Sequence, residues 1–162
     1  MASLAAASSV KVHASFSGQE SAPLFGQVQN MVGRAGCEFT ALHIAQTADW
    51  FEIWSEKARA AKYIIVFFSD IYRSRFTAAL KREAQLVIQL VDLRKSTKVF
   101  VFDPTKDSAA DILVNLQDDA AFMGDWPGFK AFVANTPVVD GSSGGGSGGS
   151  GGAVSTVMHF TT

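Results

Sequence analysis

The chain is poor in the residues that announce most common chemistries. One cysteine, Cys37, stands among 162 residues, so no internal disulfide forms, and no Cys and His fall at zinc-ligand spacing. That excludes a disulfide-stapled secreted domain and a structural zinc site, and it fits a reducing, cytoplasmic setting. Neither sign of charge is in excess: 14 Lys and Arg face 15 Asp and Glu, a net charge of −1. The cationic surplus needed to neutralise a run of phosphates is missing, so no nucleic-acid partner is expected. No apolar run approaches the roughly 18 residues of a membrane span, so no membrane partner is expected either. Met1–Ser9 is Ala- and Ser-rich but lacks a basic n-region, and it fails as a signal peptide. Neither G-x-G-x-x-G nor G-x-x-x-x-G-K-[ST] occurs, which removes the Rossmann and P-loop phosphate cradles. His13, His43 and His159 are scattered and no G-x-S-x-G elbow accompanies them, so a nucleophilic triad has no footing.

Glycine is also scarce outside one stretch. Of 14 glycines, eight lie in Gly141–Gly152, a run of Gly and Ser alone. Such a run behaves as a random coil and spans about 20 Å on average. It separates a domain at 10–140 from a tail at 153–162, with residues 1–9 as a flexible lead-in. About 140 residues are enough for one domain and too few for two. With 48% hydrophobic and 18% charged residues they can bury a single core, and disorder is excluded. The tail, AVSTVMHFTT, alternates Val154, Thr156, Met158 and Phe160. It reads either as a short strand docking on a sheet edge or as a non-native remnant without contacts.

Hydrophobic periodicity supplies the elements. Val10–Ser17 alternates as a strand running into a loop at Gly18, and Pro23 opens a helix over Leu24–Arg34, closed by Gly33 or Gly36. Glu38–Ile44 is a second strand, and Asp49 is a good N-cap for a helix over Trp50–Ala60. Tyr63–Phe68, YIIVFF, has the continuous apolar character of a central strand covered on both faces. A long helix is expected from Ser74 to Leu93, then a strand at Lys98–Phe102, a helix from Asp107 or Ser108 to Leu116, and a last helix after Pro127. This alternation predicts an α/β domain, a parallel sheet with helices on both faces and ligands at the carboxyl ends of its strands.

Those ends carry few chemical groups. Asp70 follows the central strand where a receiver domain has its phospho-acceptor, but the first strand ends in Ser15, Phe16 and Ser17 instead of the acidic pair that holds magnesium. Asp70 therefore reads as a helix cap. On the long helix Phe76, Ala84, Val87 and Val91 fall within about 40° of Leu80, and Glu83 lies about 60° from that apolar centre, a boundary carboxylate.

The stretches KVHASFSGQES, WFEIWSEKARAAKYIIVFFSDIYRS and FTAALKREAQLV resemble a TIR (Toll/interleukin-1 receptor) domain, over roughly Val10 to Asn135. The resemblance implies a flavodoxin-like fold. It also implies one of two roles: a signalling scaffold that works by homotypic interaction, or an enzyme that cleaves the nicotinamide–ribose bond of NAD+. By order of elements, the essential glutamate of those enzymes corresponds to Glu83. NAD+ is then substrate, no separate cofactor or metal is implied, and the partners are further copies of the chain or other TIR domains. Ser15, Phe16, Ser17, Gly18, Ser69, Tyr72 and Ser74 are implied as substrate-binding positions, and the loop His43–Asp49 as a gate that helps assembly. Many members carry an aromatic residue four positions before the glutamate; here Ala79 stands there. Phe76, Trp50 or Phe51 is then expected to supply the aromatic contact.

Charge along the chain is uneven. Arg73–Lys98 holds seven basic and two acidic residues, and Val99–Asp140 two basic and seven acidic. Such faces suit head-to-tail contact between protomers.

Overall fold

The computed structural model describes residues 10–44, 50–94, 96–139 and 155–160. Five strands, β1 (Lys11–Ser15), β2 (Glu38–Ile44), β3 (Tyr63–Phe67), β4 (Lys98–Phe102) and β5 (Phe122–Met123), run parallel in the order β2-β1-β3-β4-β5. This is the flavodoxin-like order. A sixth, β6 (Ser155–Phe160), lies antiparallel on the outer edge of β2, with Phe39 opposite Phe160 and Ile44 opposite Ser155. Helices α1 (Ala22–Arg34) and α5 (Ala109–Gln117) cover one face through Phe25, Val28, Val32, Ile112 and Leu116. On the other face lie α2 (Trp50–Ala60), α4 (Ala78–Arg94) and α6 (Trp126–Asn135), through Trp54, Leu80, Val87 and Phe129. The β3 residues are buried on both faces, as their unbroken apolar run requires.

Local chemistry fixes the ends. Ser21 accepts from the Leu24 amide ahead of Pro23, and Gly36 at φ +79° ends α1 in the left-handed region a side chain disfavours. At Gly124, φ +83°, a Cβ would overlap the Val101 carbonyl, so β5 approaches β4 only through a glycine there. At the amino end of the sheet Asp119, at φ 54°, accepts from Tyr63 Oη and pairs with Lys98 at 2.8 Å. Those hydrogen bonds, that from Lys98 foremost, hold its carboxyl well below the usual range.

Three sequence expectations are corrected. The helix expected from Ser74 starts only at Ala78, as α4, and a separate short helix, α3 (Asp70–Ser74), precedes it across Arg75, Phe76 and Thr77. Phe76 is fully buried, its carbonyl accepts from the Val139 amide at 2.7 Å, and Thr77 Oγ1 starts the new helix by accepting from Leu80 at 3.2 Å. The cap after β3 is Ser69, which accepts from the Tyr72 amide, while Asp70 is an exposed first-turn residue beside Arg73. The first strand stops at Ser15, two residues early, because Phe16 and Ser17 turn into the loop whose Glu20 amide bonds the Ser17 carbonyl. The Asp49 cap and positions 45–49 of the proposed gate lie outside the described residues.

Candidate functional site

In a sheet of this order the chain leaves in opposite directions from β1 and β3, and the crevice opens at their carboxyl ends. Ser15 is the last residue of β1, in register with Val66 of β3. Its hydroxyl donates to Glu83 Oε1 at 2.8 Å and lies 3.5 Å from Tyr72 Oη. Three elements therefore converge: β1 supplies Ser15, α3 supplies Tyr72, and the second turn of α4 supplies Glu83. Just above, Ser69 Oγ donates to Glu20 Oε1 at 2.6 Å, joining the loop after β1 to the turn after β3 across the same crevice.

Glu83 is only 9% exposed. Burial pushes its carboxyl up to about 8, against a smaller opposing pull from the Ser15 hydroxyl. Burial thus favours the neutral carboxylic acid, and a positive charge beside it would favour the carboxylate. Burial likewise raises the Tyr72 phenol, and a charged Glu83 raises it further, so Tyr72 stays a neutral hydrogen-bonding group. A carboxyl poised near neutral pH, with hydroxyls on one side, can hold ribose-like hydroxyls and stabilise positive charge developing on carbon.

Of the positions singled out in the sequence, the structure brings Ser15, Tyr72 and Glu83 together and sets Ser69 beside them. Ser17 is buried in the adjoining loop, where its hydroxyl accepts from the Gln19 amide at 3.2 Å, and Gly18 is exposed with open space at its Cβ position. Phe16 is not at this site: its ring meets Phe25 at 4.5 Å and Phe67 at 6.2 Å in the core on the other face. Phe76 is no open aromatic platform either, since it is sealed between Tyr72 and Phe132. Ser74 ends α3, with its hydroxyl turned to the Ile71 carbonyl. Trp50 and Phe51 form a surface cluster under Arg82, whose guanidinium is 5.8 and 4.0 Å from their rings.

Several participants escaped sequence reading. Trp54 Nε1 donates to the Ala14 carbonyl at 3.2 Å, fixing the residue before Ser15. His13, two residues before Ser15 and so on the same side of β1, is fully buried, its Nδ1 2.7 Å from Thr40 Oγ1 and its ring 5.1 Å from Trp54. Its Nε2 has no hydrogen-bond partner among the described residues. Burial lowers the imidazole to about 3, so His13 is neutral and serves as core. Arg73 crosses the Phe68 ring and pairs with Asp103 at 2.9 Å at the end of β4.

Among the described residues no three His, Cys, Asp or Glu side chains are grouped to hold a metal, and no helix is long and apolar enough to cross a membrane. No family model, no curated protein and no solved structure matches the chain.

Proposed function

We propose that the chain is a TIR-type NAD+ hydrolase with Glu83 as its catalytic carboxylate. The observation that carries this reading is the buried Glu83 carboxyl, bonded by Ser15 at the switch point of a flavodoxin-like sheet. Nicotinamide is already a cationic leaving group. When the C1′–N bond breaks, its electron pair stays on nicotinamide, which departs neutral, and the charge passes to the ribose as an oxocarbenium ion. No general acid is needed; an anion beside the ribose is. Glu83 supplies it, and Ser15 holds one carboxylate oxygen so that the other faces substrate. Water then adds at C1′ and gives its proton to solvent, yielding ADP-ribose; attack by an adenine nitrogen in its place yields a cyclic product.

A second reading, a scaffold acting through homotypic contact, draws on the charge division: the basic span runs from the end of α3 through α4, the acidic span covers α5 and α6 with their loops. The two readings join if assembly activates the enzyme. A chromatographic time course of NAD+ with concentrated protein separates them. The hydrolase reading expects nicotinamide and ADP-ribose, or its cyclic form, to appear in step with NAD+ loss. Intact NAD+ after prolonged incubation contradicts the hydrolase reading and favours the scaffold.

A further inference from the structure

The outer edge of β2 is the longest strand edge in the parallel sheet: seven residues, EFTALHI, rich in β-forming types. An edge of this kind presents a row of unpaired amides and carbonyls, a template for another strand. Here it is filled, over six consecutive residues, by Ser155–Phe160. The way it is filled is unusual. Strands β2 to β5 each arrive through a helical crossover, whereas β6 arrives antiparallel after a run of Gly and Ser, Gly141–Gly152, that has no apolar side chains with which to join a core.

The geometry suits a tether. The chain after α6 is described to Val139, whose amide bonds the Phe76 carbonyl just before α4; α4 packs on β1 and β4, within four strand spacings, about 19 Å, of the position beyond β2. A 12-residue Gly/Ser run has an average span of about 20 Å. A linker matched to its span gives an effective concentration in the millimolar range. A six-residue ladder too weak to persist between separate molecules is then held within one.

We propose that the β2 edge is a peptide-binding site of the strand-addition kind, and that residues 155–160 are its tethered occupant, held in cis and exchangeable for an extended peptide of similar alternating pattern. Main-chain pairing to Phe39–Ile44 supplies the affinity. Ser155 stands opposite Ile44, so an incoming strand starts at the sheet end that carries Ser15 and Glu83 and finishes at the amino end.

The test uses the full chain. Val157→Pro with Met158→Pro removes two successive amides, one of which faces β2 in any antiparallel register. The probe is a fluorescent synthetic peptide of residues 153–162. The double variant is expected to bind it at least tenfold more tightly than wild type, whose edge is occupied, and the peptide carrying the same two prolines is expected not to bind. A second variant with 155–160 replaced by Gly and Ser should behave like the proline variant, which separates an opened edge from proline-induced misfolding. Equal binding by wild type and both variants, or no binding by any of them at millimolar peptide while circular dichroism shows them folded, overturns the proposal. So does a wild-type dimer in light scattering that becomes monomeric in both variants, since the tail would then be exchanged between copies.

Discussion

Glu83 and His13 are buried titratable groups on the same side of the sheet, and they bias stability in opposite directions with pH. The Glu83 carboxyl is raised from 4.5 to about 8. Between those values the unfolded chain gives up its proton first, so stability falls as pH rises through that window. The His13 imidazole is lowered from 6.5 to about 3, so the unfolded chain takes up its proton first and stability falls as pH drops below 6.5. Together they favour the interval between 4.5 and 6.5. Glu83→Gln removes the alkaline loss alone. In urea titrations at pH 6.5 and pH 8.5, above the window in which His13 titrates, wild type is expected to lose about 2 kcal/mol between the two and the variant much less; equal losses would mean that Glu83 is not buried. Sequence periodicity carried this residue only as far as the border of an apolar stripe, because what buries it is Ser15 of β1 and Tyr72 of α3, and no helical wheel contains a partner 68 residues away in the chain.

At the scale of elements, the strands were the most legible part. YIIVFF and KVFVF are continuous apolar runs between turn residues, a pattern that fits a buried parallel strand. The helix after β3 was misjudged because Phe76 satisfies the apolar spacing of α4 without being helical: its carbonyl is taken by Val139, a partner that only the tertiary fold supplies. The two-residue β5 was invisible, being too short to show any period. Its glycine is a sharp test of the packing. Gly124→Ala meets both a positive φ and the Val101 carbonyl, whereas Gly18→Ala meets open space. Thermal unfolding is expected to show Gly124→Ala destabilised by about 2–4 kcal/mol and Gly18→Ala within about 0.5 kcal/mol of wild type. A tolerated Gly124→Ala would refute the close approach of β5 to β4. Trp54→Phe, which keeps an aromatic ring but leaves the Ala14 carbonyl without its indole donor, should cost roughly 1–3 kcal/mol in urea titration; no measurable cost would remove that bond from the account.

For the whole molecule, the alternation of strands and helices made the α/β class readable; the family resemblance had already grouped Ser15, Tyr72 and Glu83, and the fold supplied the contacts between them. Charge is the other property on this scale. If the basic α3–α4 span of one copy meets the acidic span of the next, particle mass in light scattering should grow with concentration at low salt and collapse by 0.5 M salt, where screening shortens the reach of charge to a few ångströms; a monomer under all conditions contradicts it. The central claim, that Glu83 acts as an ionised carboxylate from a buried site, is tested most directly by the pH dependence of kcat/KM for NAD+ cleavage, which reports the free enzyme. The account predicts a rate that climbs about tenfold per pH unit below a single inflection near 8, and a Glu83→Gln protein that is folded, flat with pH and slower by about 100-fold or more. A wild-type profile already level from pH 5 upward, or a Glu83→Gln variant with the wild-type rate and profile, would contradict it.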